Sequence, residues 1–566
     1  MKASSSVLAA LAAQACGVLA ESCYSFPGDA SWPSEASWAT LNTTTGGKLI
    51  AASPIGSPCH DPTYDEAACT ALQNSWTNPA THLPSSSSVM QAFFANQSCD
   101  PFTPREQPCL LGNYARYAIE VTTVDDIKAG LSFAQENNVR FLVRNTGHDF
   151  LGRSTGAGAL SVWTHKLKDI DFISDYADEF YQGTAVKVGA GVLGYEAIEA
   201  SAKVNQILVS GECSSVGVAG EIPGYTAGGG HSALSTNFGL AADQTLSFEV
   251  VTAAGDLVTA SRTENSDLYW AMSGGGVGYG IVVSLTVKTY PDAPVGGGTL
   301  QFASSYTTPD KFYEAVSTFH ELLPAMVDNG TMIVFYFNSA FFIINPITAY
   351  NQTSAQIEAI LAPFVAKLNE LAIPYSHSYS ESPSYREHYN TYMGPLPYGN
   401  ILVEEYQFAS RLIPRDVIET NNAQVQVALR NITEHGVLLL GVATDVSSPG
   451  NVDNAVLPAW RNALIHATLT TSWNSSATAW EAMIADQVAL TNHLTPQLTA
   501  LTPGSGSYMN EADFNQPDFQ DAFFGANYDA LLKIKQKWDP NSVFYAVATV
   551  GSEIWSFTKE GRMCRS

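Results

Sequence analysis

The sequence predicts an α+β protein made of two successive mixed blocks, and three observations carry that prediction. From residue 117 onward, strand-length apolar runs alternate with longer runs whose apolar residues recur at helical spacing. Hydrophobic residues make up 45% of the 566-residue chain and charged residues only 14%, a balance that demands large buried cores and excludes a disordered chain. Glycine-dense loops interrupt the first block, whereas the second has longer strands and helices.

The first twenty residues read as a secretory signal. Lys2 supplies the positive start, 7–19 the apolar run, and Val18-Leu19-Ala20 the small-residue cleavage site. The run is too short for a bilayer span of ~20 residues. The next best stretch, 332–347, is interrupted by Asn338 and Asn345. Sequons at Asn42, Asn96, Asn329, Asn351, Asn431 and Asn474 agree with export. The expected location is therefore secreted and extracellular, with no membrane partner. A net charge of −26 argues against a nucleic-acid partner, which needs a basic face, and suits solubility in an acidic medium.

Of eight cysteines, Cys16 leaves with the signal, and the odd number remaining asks for an explanation. Five of the rest precede residue 110, as if stapling an N-terminal extension. Cys213 stands alone in a glycine-rich region. If it has another covalent partner, Cys23, Cys59, Cys69, Cys99, Cys109 and Cys564 can form three disulfides, in any of the connectivities open to six cysteines.

Residues 21–108 are rich in Ser, Pro, Trp and Cys, with little helical periodicity, and read as an irregular extension with one short element near 38–49. A strand follows at 118–121. Thr123 then caps a helix to about 138, with Asp126 completing an acidic capping box and Ile127, Leu131 and Ala134 on one face. Strands at 139–143, 184–188 and 207–209, a helix at 195–204, the strand pair 247–252 and 257–261, and a strand at 281–289 complete the domain expected over 109–293. Pro294-Val295-Gly296-Gly297-Gly298 reads as its boundary. Beyond it, helices at 312–323, 355–371, 417–429 and 480–498 and strands at 299–304, 332–337, 340–344, 401–408 and 436–442 form a second domain, 294–504, whose sheet packs on the first. The closing segment, 505–566, carries a helix at 519–537 stopped by Asp539-Pro540.

Three motifs carry chemistry. Arg144-Asn145-Thr146-Gly147-His148-Asp149-Phe150 ends a strand, where backbone N–H groups beside a glycine can cradle a phosphate. Taken alone, His148 reads as an ordinary loop histidine. Gly211-Glu212-Cys213-Ser214-Ser215-Val216-Gly217-Val218-Ala219-Gly220, continuing to Gly228-Gly229-Gly230-His231, places many glycines within apolar surroundings. That suits tight packing around a large flat group, with surface turns as the alternative. Gly274-Gly275-Gly276-Val277-Gly278-Tyr279-Gly280-Ile281 does not fit the dinucleotide fingerprint, so a Rossmann dehydrogenase is not expected. No P-loop, H-E-x-x-H or G-x-S-x-G is present, and histidine spacing points to no metal site.

On these residues, 109–293 resembles the FAD-binding domain of the vanillyl-alcohol oxidase and p-cresol methylhydroxylase superfamily, and within it the berberine bridge enzyme-like oxidases. Arg144 to His148, with Phe150 and Gly152, is similar to the family's flavinylation loop, whose histidine bonds the flavin 8α-carbon. Gly211-x-Cys213-x-x-Val216-Gly217 is similar to the loop whose cysteine bonds flavin C6. Gly239-Leu240-Ala241-Ala242-Asp243, Gly278-Tyr279-Gly280-Ile281-Val282, and the run from Asn527-Tyr528 through Lys535 to Asp539-Pro540-Asn541 and Phe544 match further family segments. The whole pattern looks closest to a fungal isoamyl alcohol oxidase-like branch.

The resemblance implies a two-subdomain FAD-binding domain of p-cresol methylhydroxylase type, and a substrate domain with an antiparallel sheet flanked by helices. It implies FAD attached bicovalently through His148 and Cys213. Arg144, Asn145, Thr146, Gly147, Asp149, Gly211, Ser214, Val216, Gly217, Gly220, His231, Gly280, Ile281 and Val282 complete the expected cofactor site. A second attachment point accounts for the odd cysteine. Members often carry histidine eight residues after the cysteine; this chain has Glu221 there, and His231 is the alternative. The small Val216, three residues after the cysteine, implies an oxidase rather than a dehydrogenase, with plain packing as the alternative.

Hydride transfer from an alcohol also needs a base within reach of the hydroxyl proton. Tyr508-Met509-Asn510-Glu511-Ala512-Asp513 resembles a family motif near the active site, which makes Tyr508 and then Glu511 the candidate catalytic residues. Strand alternation at 401–408 offers Glu404 and Tyr406 on one face and Glu405 on the other. The function expected is a secreted FAD oxidase that takes a hydride from a small-molecule alcohol and passes electrons to O2, giving H2O2. The alternatives are a carbohydrate (oligosaccharide) oxidase and a tailoring oxidase of secondary metabolism.

Overall fold

The computed structural model describes residues 23–219, 224–448, 450 and 452–566, so the expected signal segment lies outside the described residues. Among the described residues the chain folds around three main sheets with helices between and over them, an α+β architecture.

The N-terminal stretch holds more helix than its sequence suggests. Glu35–Thr44 is capped by Ser34, and Glu66–Ser75 by Asp65, each side chain accepting a backbone N–H. Only Trp38 and Leu41 of the first helix and Cys69 of the second are buried, so neither has an apolar stripe wide enough to show as periodicity. Disulfides Cys59–Cys69 and Cys99–Cys109 staple this region, and Cys23–Cys564 ties it to the chain's end. Cys213 is the free cysteine among the described residues.

The first sheet runs, edge to edge, through Leu49–Ala51, Tyr117–Glu120, Leu160–Trp163 and Phe141–Arg144, with the last three strands parallel. The capping box forms: Thr123 Oγ1 accepts the Asp126 N–H, and Asp126 Oδ2 accepts that of Thr123 at 2.9 Å. Lys48 Nζ, 2.7 Å away, joins the same carboxylate. Leu160–Trp163 escaped the sequence reading because all four of its residues are buried, which leaves no alternation to detect.

The second sheet is antiparallel, in the order Ile170–Ala177, Gln182–Gly189, Ile281–Lys288, Thr245–Val251 and Leu257–Ser261. Its edge strand Ile170–Ala177 was also missed, because none of its residues is fully buried.

The third sheet is antiparallel, with strands in the order Tyr375–Ser382, Val295–Ala303, Phe341–Tyr350, Thr331–Phe337, Leu438–Ala443, Ala463–Ser472 and Tyr406–Pro414. Helices Pro309–Asp328, Ser354–Glu370, Arg415–Glu434 and Thr495–Leu501 contribute Phe319, Leu361, Leu429 and Leu498 to one large core against it.

Three expectations are corrected here. The strand expected at 299–304 begins earlier, so that Gly296, Gly297 and Gly298 sit inside Val295–Ala303, where a Cβ on Gly297 would lie 2.6 Å from the Tyr392 ring. The strand expected at 401–408 begins only at Tyr406 and runs to Pro414. Glu404 precedes it, buried, and accepts a hydrogen bond from the Trp76 indole, so the face assignment for Glu404 does not hold. The helix expected at 519–537 divides into Phe519–Phe524 and Tyr528–Trp538 at Gly525, where φ is +52°.

Candidate active site

Two loops bring the expected attachment residues together. Where the Phe141–Arg144 strand ends, the Asn145 amide donates to Ala190 O at 2.9 Å, pinning the loop to the second sheet's side of the molecule. Gly147 adopts φ +90°, and a Cβ there would lie 2.3 Å from the buried Arg144 guanidinium, so glycine is required. Thr146 Oγ1 accepts the His148 N–H at 3.5 Å. Asp149 is buried and accepts the N–H groups of Leu151 and Ser154 at 3.1 and 2.6 Å, which makes it the staple of the loop.

On the facing loop, Tyr389 OH bonds the carbonyls of Gly211 and Glu212 at 2.9 and 2.8 Å. Gly217 packs over Asn145, whose Nδ2 a Cβ would meet at 2.2 Å. The Ser215 hydroxyl closes the gap between the loops: it lies 2.9 Å from His148 Nε2 and 3.4 Å from Cys213 Sγ. Val216 is half-buried against the cluster containing Tyr225 and Tyr389, so packing is at least part of its role. Gly220 and Glu221 lie outside the described residues.

Beside these loops a cleft is lined by Val143 of the first sheet, Ile281 and Val282 of the second, and the turn Gly276 to Gly280. Gly276 and Gly278 have φ of +83° and +108°, so this turn presents bare backbone. The buried Ser210 and Ser214 hydroxyls have no hydrogen-bond partner within the protein. Bare glycine backbone between two sheets suits the close approach of a flat cofactor such as FAD. His148 and Cys213, the residues expected to attach it, lie on the two loops joined by Ser215.

Next to Cys213 begins a second, polar group. Glu212 Oε2 lies 3.1 Å from His231 Nδ1, and Glu511 Oε1 lies 2.9 Å from His231 Nε2. His466 Nδ1 is 3.7 Å from Glu511 Oε2. Tyr508 and Trp460 wall the cluster, with Tyr508 edge-on to both imidazoles at 5.3 Å between centroids. Tyr508 is 2% exposed and its hydroxyl accepts from Asn510 Nδ2 at 2.8 Å, whereas the Glu511 side chain keeps 29% exposure. Of the two candidate catalytic residues, Glu511 is therefore the one that reaches open space.

Electrostatics separate the two groups. Burial, aided by the charges of His82 and Arg144, holds the His148 imidazole down at about 3, so it is neutral. Burial pushes the Cys213 thiol up, assisted by the Glu511 charge and opposed by hydrogen bonds from Ser215 and Val216. Burial alone would lower His231, but Glu212 and Glu511 outweigh it and raise the imidazole well above its ordinary value. Burial raises the Glu511 carboxyl, yet His231 and His466 bring it below the usual range, leaving a carboxylate.

The remainder of the site is held by Arg153 and His466, which sequence reasoning missed, and by Lys535 and Asp243, which it named only as members of family-like runs. The buried Arg153 donates to Val547 O at 2.7 Å and Ala548 O at 3.1 Å, tying the closing segment to the His148 loop. Lys535 Nζ, in the family-like C-terminal run, donates to Gly278 O at 2.6 Å and Phe544 O at 2.9 Å, fixing the cleft's glycine turn. Asp243 binds Arg461 through both oxygens, at 2.7 and 2.9 Å. His466 was invisible in the sequence. Alternation along Ala463–Ser472 turns it away from Ile465, Ala467 and Leu469, which face the helices, and toward Glu511, Trp460 and Tyr508.

Comparison with known proteins identifies the fold and the family. Residues 115–261 match the "FAD binding domain" family model, and 507–550 match "Berberine and berberine like". The chain is 49% identical to the FAD-linked oxidoreductase ZEB1 of Gibberella zeae, over 96% of this chain and 95% of that one. The structure of the VAO-type flavoprotein MtVAO615 from Myceliophthora thermophila superposes with a TM-score of 0.93 at 40% identity, covering 96% of this chain and 100% of that one. Glucooligosaccharide oxidase from Acremonium strictum, described with a 6-S-cysteinyl, 8α-N1-histidyl FAD, shares the fold. Its TM-score is 0.62 at 19% identity, covering 77% of this chain and 92% of that one.

Proposed function

This chain belongs to the FAD-linked oxidoreductases of the vanillyl-alcohol oxidase type with a berberine-like closing segment, and from that premise we propose that it is a secreted oxidase of alcohol-type substrates carrying FAD on two covalent bonds. The observation that supports it most is the convergence of His148 and Cys213 on the one Ser215 hydroxyl, at 2.9 and 3.4 Å, beside the glycine-walled cleft. When bound, FAD supplies the hydride acceptor and the reaction with O2 that forms H2O2.

The chain's own residues do the rest. His148 and Cys213 fasten the cofactor from two loops. Asp149, Asn145 and Arg153 keep those loops in place. Glu511, anionic and facing open space, takes the substrate's hydroxyl proton as the C–H bond breaks, and His231 orients it. Tyr508, Trp460 and His466 form the wall behind them. Three disulfides among the described residues support an oxidising, extracellular location.

Acid precipitation tests the attachment. Yellow colour is expected to stay with the protein, and tryptic peptides containing His148 and Cys213 to share one FAD-sized adduct. The variant combining His148→Ala with Cys213→Ala should release the cofactor. Unmodified wild-type peptides would overturn the bicovalent reading. A peroxide-coupled panel of alcohols, oligosaccharides and polyketide-like hydroxyl compounds then assigns the substrate. Turnover confined to oligosaccharides would replace the alcohol reading with a carbohydrate one.

A further inference from the structure

Histidine spacing in the sequence points to no metal site, but the fold gathers one ligand atom each from His231, His466 and Glu511 within 4.8 Å of one another. His231 and Glu511 are 280 residues apart in the chain. We propose that these three side chains bind a divalent first-row cation of the zinc class, with Glu212 as the carboxylate that orients His231.

Four observations carry the assignment. First, the spacings are within small adjustment of a coordination sphere. Bonds of about 2.0–2.1 Å at tetrahedral angles put ligand atoms about 3.3 Å apart; here one atom from each side chain lies within 4.8 Å of the others, and the two Glu511 oxygens meet the rings separately, Oε1 2.9 Å from His231 Nε2 and Oε2 3.7 Å from His466 Nδ1. Second, His466 is fully buried, and its Nδ1 has no hydrogen-bond partner although it points at the Glu511 carboxylate. A buried ring nitrogen left in that state is costly unless something fills the position. Its other nitrogen is held by Thr468 Oγ1 at 3.4 Å. Third, Glu212 Oε2 lies 3.1 Å from His231 Nδ1, an ion-pair contact that puts a carboxylate behind the ring, as in carboxylate–histidine–metal arrangements. Fourth, two imidazoles and a carboxylate suit zinc and its neighbours rather than magnesium or calcium, which prefer all-oxygen sites.

Three protein ligands leave one position open, as in catalytic rather than structural sites. The exposed part of Glu511 marks the side on which that position opens. The role of the cation rests on the oxidase reading above. It would hold the substrate's hydroxyl oxygen and draw electron density from it, so that the proton passes more readily to the Glu511 oxygen that the cation leaves free. Binding of the cation stands independently of that role.

The experiment is elemental analysis of the full-length, flavin-loaded protein after incubation with zinc and gel filtration, with cobalt as a spectroscopic substitute. Wild type should retain one equivalent of zinc per chain and show the visible d–d bands of a low-coordinate cobalt site. His466→Ala and Glu511→Gln should lose the metal while keeping flavin absorbance and far-UV circular dichroism. Glu212→Gln should weaken zinc binding by about 10–100-fold. Wild-type protein that retains no stoichiometric zinc and shows no cobalt bands overturns the proposal, as does zinc retained equally by all three variants. Metal and flavin contents are read separately, so zinc without a covalent flavin would sink the oxidase reading and leave this one standing.

Discussion

Asp243 is the most demanding test of how the flavin module is joined to the third sheet. Its side chain is fully buried, and it accepts four hydrogen bonds: from Leu240 N–H at 2.9 Å, Asn454 Nδ2 at 2.7 Å, and Arg461 Nη1 and Nη2 at 2.9 and 2.7 Å. Arg461 retains 23% exposure. Breaking a buried ion pair by altering one partner costs about 3–5 kcal/mol. Asn at this position keeps one acceptor oxygen, and the Arg461 head can partly rehydrate, so Asp243→Asn is expected near the low end, about 3 kcal/mol. The measurement is a double-mutant cycle with Arg461→Met, using urea unfolding followed by tryptophan fluorescence. A coupling of about 2 kcal/mol is expected for groups in direct contact. A coupling below about 0.5 kcal/mol, the range of independent sites, would refute the claim that this pair ties the turn at Gly239 to the segment leading into Ala463–Ser472.

Other outcomes follow from the same coordinates. Gly217→Ala drives a methyl to 2.2 Å from Asn145 Nδ2, which should cost about 1–3 kcal/mol and cut the Cys213 adduct in peptide mass spectra more than the His148 adduct; equal adducts would contradict it. Ser215→Ala removes the hydroxyl shared by His148 and Cys213, and attachment of added FAD to freshly made protein should slow about five- to tenfold, as for a lost hydrogen bond of about 1 kcal/mol. Burial holds the His320 imidazole at about 4 against an ordinary 6.5, with a bond to Val316 O opposing it. The unfolded chain therefore binds a proton that the native state refuses. Its contribution, on the order of 3 kcal/mol, is complete above pH 6.5 and lost as pH falls toward 4. His320→Leu should flatten that part of the stability–pH curve, and an unchanged slope would count against it. Cys564→Ala opens the tie to Cys23 across 541 residues and is expected to cost about 2–5 kcal/mol in urea unfolding.

Much of this protein was written locally. The Thr123–Asp126 capping box, most strands and helices from 117 to 289 apart from Leu160–Trp163 and Ile170–Ala177, and the leftover Cys213 were legible because each depends on neighbours within a few residues. The loops carrying His148 and Cys213 stood out by their glycines, but the attachment role proposed for the two residues came from the family resemblance, since His148 taken alone reads as an ordinary loop histidine. What the sequence alone could not reach is whatever depends on distance between remote segments. Nothing near position 466 marks that histidine. Strand alternation decides its direction, but only the strand's place in the sheet decides that Glu511, His231 and Glu212 wait on that side. The glycines at 296–298 read as a stretch before the strand until the packing of Tyr392 gave them a reason to lie inside it. Local sequence sets backbone preference and periodicity, whereas sheet order and the docking of the closing segment choose which polar groups share one buried space.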